Sequence, residues 1–409
     1  MIAHCVASEP LPADSANWLG ASGLKPLRLG GRLLLPIVQG GMGIGISGHQ
    51  LAGSVAALGG VGTLSSVDLR RHHPDLMDQT RELPPGELAK KGIDAANLVA
   101  IEREIRAARQ IARGRGLLAI NVMRAVTAYA SSVKCALENG IDAVVVGAGL
   151  PLDLPDLAQD HPDTLLIPIL SDARGVALLV KKWERKKRLP DAIVIEHPGL
   201  AGGHLGAAKV GDLHDPRFDF DHVLPQVRQF LKDAGIENEI ALIAAGGVSS
   251  FEDIARLQHL GAAAVQLGTA FAVTTESDAH TAFKQVLAEA LPQDMVEFTS
   301  VAGLPARAVG TPWLRTYLQL EPRLQARAHA KSRCTKSFDC LAQCGLRDGN
   351  PVWGQFCIDN QLGAALRGDV NKGLFFRGAG ALPFGAQIRS VRDLVQRLLT
   401  PNGAAHAST

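Results

Sequence analysis

Hydrophobic positions follow two alternating rhythms along this chain. Short apolar runs, many of them β-branched and each bounded by turn residues, cover positions 33–38, 61–64, 117–120, 142–146, 165–170, 192–195, 240–244 and 263–267. Continuous apolar runs of this length suit strands buried on both faces, as in a parallel sheet. Between them, apolar residues recur at helical spacing over 49–58, 96–112, 126–138, 174–185, 221–234 and 251–260. Strand then helix, repeated around a circuit, predicts an α/β fold closed as a (β/α)8 TIM barrel. An open doubly wound sheet is the alternative that the same alternation allows.

Two interruptions modify this pattern. Residues 72–97 are too polar and too numerous for a tight connection, so they read as an excursion over one rim of the barrel. Residues 271–330 read as helical, and from 333 onward cysteines cluster and glycines return. The expected organisation is an N-terminal segment over 1–29 and a barrel over 30–310 with its insertion around 72–97. A helical and Cys-rich C-terminal extension continues over 311–409.

Composition narrows the functional classes. The 409 residues are 46% hydrophobic and 20% charged, as expected for a globular protein. A net charge of +2 offers nothing for nucleic acid. The basic run over 181–188 reads as a solvated helix end. No apolar run approaches the roughly 18 residues that span a bilayer, and residues 1–12 lack the basic start and apolar stretch of a signal peptide. Six unevenly placed cysteines do not resemble a secreted disulfide framework. The expectation is a cytoplasmic protein that acts on a small molecule, touches neither membrane nor nucleic acid, and is compatible with homo-oligomer formation.

The chemistry is legible at the C-terminal end of each strand. The first run leads into Gln39-Gly40-Gly41-Met42-Gly43, the third into Asn121, the fourth into Gly147-Ala148-Gly149 and the fifth into Ser171. The sixth leads to Ala201-Gly202-Gly203-His204-Leu205-Gly206. The seventh ends in Gly246-Gly247 before Ser249-Ser250, and the eighth in Gly268-Thr269. In a barrel these positions form the C-terminal rim, where active sites are built. Paired glycine turns after the last two strands expose backbone N–H groups with no Cβ in the way, which suits a phosphate. The glycines after the first strand would let a flat ring approach the backbone, with Met42 packed on it. His204, framed by glycines at a strand end, is the candidate proton-transfer residue. His197 lies close by without that frame.

These motifs resemble the nitronate monooxygenase family, once called 2-nitropropane dioxygenases. Its superfamily includes the FMN-dependent enoyl-acyl-carrier-protein reductases. The resemblance runs over roughly residues 30–310 and is carried by Pro36-Ile37-Val38-Gln39-Gly40-Gly41-Met42, Asn121, Gly147-Ala148-Gly149-Leu150-Pro151, the Ala-Gly-Gly-His-x-Gly element, Ala245-Gly246-Gly247-Val248 and Gln266-Leu267-Gly268-Thr269-Ala270-Phe271. It implies FMN, with phosphate near Gly246, Gly247, Gly268 and Thr269, and with Gly41, Met42, Asn121, Gly147, Ser171 and Gly203 beside the cofactor. It implies His204 as the catalytic residue in the oxidation of alkyl nitronates or nitroalkanes by O2. The reductase branch implies NAD(P)H as reductant and an enoyl thioester or quinone as substrate. Where many relatives carry an acidic residue just before the Ala-Gly-Gly-His element, this chain has Leu200.

Cys334, Cys340, Cys344 and Cys357 form a C-x5-C-x3-C-x12-C pattern. Four thiols so close suggest a metal or iron–sulfur site. The pattern is similar to the four-cysteine tail that follows the barrel in dienoyl-CoA reductases, which implies a [4Fe–4S] cluster. Zinc and unligated buried thiols fit the same spacing. A flavin and iron–sulfur redox sensor without catalysis is the reading from another functional class.

Overall fold

The computed structural model describes residues 10–84, 86–330 and 340–401. A helix over Ala13–Ser22 leads to an antiparallel hairpin, β1 (Leu27–Leu29) and β2 (Arg32–Leu34). The barrel begins with β3 (Ile37–Gln39) and continues with β4 (Val61–Ser65), β5 (Leu117–Met123), β6 (Ala143–Gly147), β7 (Leu165–Leu170) and β8 (Ala192–Glu196). A two-residue strand β9 (Gly203–His204) stands apart before β10 (Ala241–Ala245) and β11 (Ala264–Leu267) complete the circuit. The strands β3–β8, β10 and β11 are parallel and close into an eight-stranded barrel, with β11 pairing back onto β3. The expected (β/α)8 TIM barrel is therefore the observed fold.

Alternation along these short strands builds two cores. Inward positions such as Val38, Ala119, Val145, Ile167, Val194 and Ile243 fill the barrel interior. Outward positions such as Ile120, Val144, Leu166, Ile195 and Leu242 pack under the helical ring. Full burial of each such side chain contributes about 1.5–3 kcal/mol. The lower mouth is closed by the hairpin, whose Leu27, Leu29 and Leu34 join the interior core. The apolar run over 33–38 is thus not one strand. Its first half belongs to β2 and its second to β3, with the chain turning at Leu35-Pro36. Pro36 has no N–H for a ladder, so an unbroken strand is disfavoured there.

Two further expectations are revised. The excursion around 72–97 is largely helical, with Pro74–Arg81 and a long helix, Glu87–Ala112, that starts well before residue 96. Residues 271–330 are not all helical, because β12 (Met295–Thr299) and β13 (Pro305–Val309) form a hairpin. β9 pairs with β13, which makes a small antiparallel sheet beside the barrel mouth. The alternation Met-Val-Glu-Phe-Thr before a Gly303 turn was the local sign of that hairpin. Among the described residues no helix is long and apolar enough to cross a membrane.

Candidate active site

The C-terminal ends of the barrel strands open into one cavity of about 660 Å³. Small-molecule sites occupy about 300–1,000 Å³. Its wall includes His204 and each residue that the motifs single out for a cofactor: Gly41, Met42, Asn121, Gly147, Ser171, Gly203, Gly246, Gly247, Gly268 and Thr269. Short, rigid strands bring these distant segments together, because every barrel strand ends at the same rim.

His204 is held by the small sheet rather than by the barrel. On β9 it lies opposite Ala306 of β13, and its Nε2 is 2.9 Å from Ser300 Oγ in the β12–β13 turn. Ser300 Oγ accepts the Ala302 N–H at 3.2 Å, so its hydroxyl proton is available to His204 Nε2. A Ser300 hydroxyl that donates to Nε2 leaves the imidazole proton on Nδ1. Burial away from water pushes the imidazole down to about 4, so His204 is neutral at neutral pH. The Phe376 ring packs against it with centroids 5.4 Å apart. The Gly-Gly frame has a steric reason at Gly202, where a Cβ would run into the backbone of Arg377 and Gly378.

Arg307 fixes the loop that leads into His204. It is fully buried on β13. Its Nε and Nη2 donate to Glu297 Oε1 at 3.1 and 2.5 Å. Its Nη1 donates to the carbonyls of Pro198 (3.1 Å) and Ala201. His197 faces Asp219 rather than the cavity centre, with Nε2 3.3 Å from Oδ1. Burial lowers its proton affinity, opposed by that carboxylate.

The glycine turns after β10 and β11 form the opposite wall. Gly247 has a left-handed backbone (φ +73°), where a Cβ would press on Leu200, and a Cβ on Gly380 of the C-terminal extension would come within 3.1 Å of the Gly247 Cα. Thr269 Oγ1 accepts the Gly378 N–H at 3.0 Å, and the Ala379 N–H reaches Leu200 O at 3.0 Å. The next helix, Phe251–His259, offers less than expected at its tip, because Asp253 Oδ2 already accepts the N–H groups of Ser249 and Ser250. A phosphate in this cup would therefore rest on the glycine turns, not on that helix.

Sequence reasoning missed several of these residues. Ser300 and Arg307 fall in a stretch read as helical, and Phe376, Gly378 and Gly380 lie in the extension. Glu196 could have been found. The inward positions of β8 are Ala192 and Val194, and the same alternation turns Glu196 inward at the rim. Burial lifts its carboxyl to about 7, against the Gly206 N–H and the more distant Arg307 charge that favour ionisation.

The cysteine pattern assembles no metal site among the described residues, where no group of three or more His, Cys, Asp or Glu side chains could hold an ion. Cys334 lies outside them. Cys340 borders the cavity. Cys344 is buried at the start of Gly345–Asp348, and Cys357 starts the helix Ile358–Leu366. These positions suit thiols packed as small hydrophobes.

Comparisons with known proteins identify the family and the fold. The nitronate monooxygenase family model matches residues 32–401. A probable nitronate monooxygenase of Bacillus subtilis (strain 168) is 27% identical over 300 residues, 71% of this chain and 80% of that protein. A probable nitronate monooxygenase of Staphylococcus haemolyticus (strain JCSC1435) is also 27% identical, over 173 residues that span 40% of this chain and 46% of that protein. Among solved structures, FabK from Thermotoga maritima superposes with a TM-score of 0.63 at 21% identity, covering 95% of this chain and 96% of that one. A nitroalkane oxidase from Streptomyces ansochromogenes gives 0.61 at 21% identity, over 93% and 96%. At that identity the structural likeness concerns the fold.

Proposed function

The chain belongs to the nitronate monooxygenase family, and on that footing we propose that it is an FMN-dependent oxidoreductase that oxidises alkyl nitronates or nitroalkanes with O2. The observation that carries this reading is a single cavity with a glycine-walled anion cup at one side and a neutral, fixed histidine at the other. The cavity fits FMN on two further counts. At Gly41 a Cβ would overlap Asn121, and at Gly247 it would press on the Leu200 side chain, so the backbone is bare along the wall.

In this reading Gly246, Gly247, Gly268 and Thr269 hold the phosphate, while Gly41, Met42, Asn121, Gly147, Ser171 and Gly203 border the ring. Bound there, FMN supplies a two-electron acceptor whose electrons pass to O2. A substrate anion bound in this cavity would lie within reach of His204, which borders it. With Nε2 engaged by Ser300, the imidazole presents Nδ1–H as a neutral hydrogen-bond donor to a nitro oxygen. Burial opposes protonation of His204, so it orients the substrate and stabilises charge rather than acting as a strong base. The C-terminal segment around Phe376 and Gly378 covers the site and restricts water.

An anaerobic titration tests this. Addition of a short alkyl nitronate should bleach the flavin band near about 450 nm expected for bound FMN, and addition of NAD(P)H should not. Bleaching by NAD(P)H alone would instead assign the chain to flavin reduction by a nicotinamide, with an enoyl thioester or quinone as acceptor. Protein that takes up no flavin after reconstitution would overturn the reading.

A further inference from the structure

The C-terminal extension reaches the cavity through Arg377-Gly378-Ala379-Gly380, a segment that bends over the glycines after β10 and β11. It is fastened at Gly378, whose N–H donates to Thr269 Oγ1, and at Ala379, whose N–H donates to Leu200 O. The N–H groups of Gly380 and Ala381 have no partner among the described residues, and both residues line the cavity. The cup therefore offers donors on two sides. Gly246, Gly247, Gly268 and Thr269 nevertheless bring no charge to it.

Arg377 supplies the missing charge. It is 5% exposed and lines the cavity. Its Nε donates to Leu287 O at 2.8 Å, on the helix Thr281–Glu289. Its Nη1 donates to Gly378 O at 2.7 Å and Gly380 O at 3.4 Å, and lies 3.9 Å from Met295 Sδ on β12. Nη2 donates to none of the described residues. No carboxylate among them stands against this guanidinium, so desolvation alone acts on it and lowers its proton affinity. Each other buried cation has an acidic neighbour. Arg70 pairs with Asp68, Arg307 pairs with Glu297, and Lys284 feels Asp278 and Glu276. An arginine stays protonated in a protein, and a buried charge without a partner is costly. The fold places that charge in the wall of a ligand cavity.

We infer that Arg377 is the counter-charge for the cofactor's phosphate, and that it sets the preference for a phosphorylated flavin over an unphosphorylated one. This rests on the FMN reading above and adds a residue that lies outside the glycine motifs. Two effects act together. The guanidinium is one peptide group away from the cup, because it grips the carbonyl of Gly380, the residue that packs against Gly247. Across so short a gap in a wall that excludes water, attraction to a dianion is weakly screened. The same grip turns the Gly378 and Gly380 carbonyl oxygens toward the guanidinium. A peptide group is planar and trans, so the Ala381 N–H points the opposite way from the Gly380 carbonyl. Arg377 thus draws acceptors to itself and leaves donors for an anion.

The test is equilibrium binding to the full chain freed of flavin, read by quenching of flavin fluorescence rather than by turnover. Wild type should bind FMN more tightly than riboflavin, which carries the same ring and ribityl chain without the phosphate. Arg377→Gln keeps a hydrogen-bond donor and removes the charge. It should narrow that preference by about 10–100-fold, through weaker FMN binding with riboflavin binding unchanged. Arg377→Lys keeps the charge and loses the forked contacts, and it should retain most of the preference. A measurement on wild type alone depends on no variant folding. Sodium phosphate should weaken FMN binding more than sodium chloride of equal ionic strength does, and should leave riboflavin binding unchanged. An undiminished preference in Arg377→Gln overturns the inference. An equal loss in Arg377→Lys also overturns it, since Arg377 would then act only by clamping the segment. So does an equal effect of phosphate and chloride on FMN. Wild type that binds FMN and riboflavin equally overturns this inference and leaves the proposed flavin chemistry standing. Wild type that binds neither overturns both.

Discussion

The two ends of this barrel are made from the same strands with the same alternation, yet they do opposite things. At the lower end the inward residues are Val38, Ala143, Leu165 and Ala192, and the β1–β2 hairpin plugs the opening with Leu27, Leu29 and Leu34. At the upper end five of the inward residues are glycine or polar, Ser65, Asn121, Gly147, Glu196 and Gln266, and the interior widens into a cavity. The lower end closes on side chains from neighbouring sequence. The upper end closes on the distant segment around Phe376, Gly378 and Gly380. Apolar filling at one end stabilises the fold that positions a less filled, polar end, where small residues leave space for ligands.

That contrast can be broken from either end. The largest effect is expected for His204→Ala. Turnover of nitronate in steady-state assays should fall about 10²–10⁴-fold, while flavin content per protein stays near wild type. Loss of flavin with loss of turnover would instead make His204 a cofactor-site residue. Arg307→Ala removes a buried charge from Glu297 and from two loop carbonyls. Urea denaturation should show a loss of about 3–5 kcal/mol, with turnover reduced because the loop before His204 loses its anchor. Unchanged stability would show that the loop is held by other contacts.

At the lower end, Leu34→Ala should cost about 2–5 kcal/mol, since Leu34 is buried in the plug. Flavin affinity and turnover per folded molecule should remain unchanged at a temperature where the variant is folded. A changed turnover would show that the two ends are coupled.

The smallest effect sharpens the upper end. Ser300→Ala should lower kcat by about two- to tenfold, the worth of one neutral hydrogen bond of about 0.5–1.5 kcal/mol, with little change in KM. Ser300→Thr should restore it. Histidine titration by NMR supplies a readout that general loosening would not move, because the Nδ1-protonated tautomer should dominate in wild type and lose that preference in Ser300→Ala. The low proton affinity of His204 also has a stability consequence. Its contribution is complete above the unfolded value of 6.5 and is lost as pH falls through about 4. His204→Gln should accordingly lose less stability than wild type between pH 6.5 and pH 4, which a thermal melt series would reveal.

What could be read from sequence was local. Strand-length apolar runs and helical spacing depend on residues within a few positions of each other, so the alternation and the barrel were legible. The glycine turns and the Ala-Gly-Gly-His element were legible for the same reason, since a backbone conformation or a close approach constrains the residue that adopts it. The run over 33–38 misled because apolar content does not reveal where a chain changes sheets. Residues 271–330 misled because the β12–β13 hairpin gains its partner, β9, from a loop roughly a hundred residues earlier in the chain.

The sequence by itself therefore determined the fold class, the rim at which the cavity opens and the histidine on its wall. Tertiary structure alone decided the state of that histidine and the company it keeps. Ser300 and Phe376 reach His204 from different segments, and Arg307 supports its loop from a third strand. Burial sends the proton affinities of His204 and Glu196 in opposite senses, to about 4 and about 7. Both shifts arise from loss of water, which disfavours the charged form of each group, and how much water a side chain loses depends on what the rest of the chain packs around it.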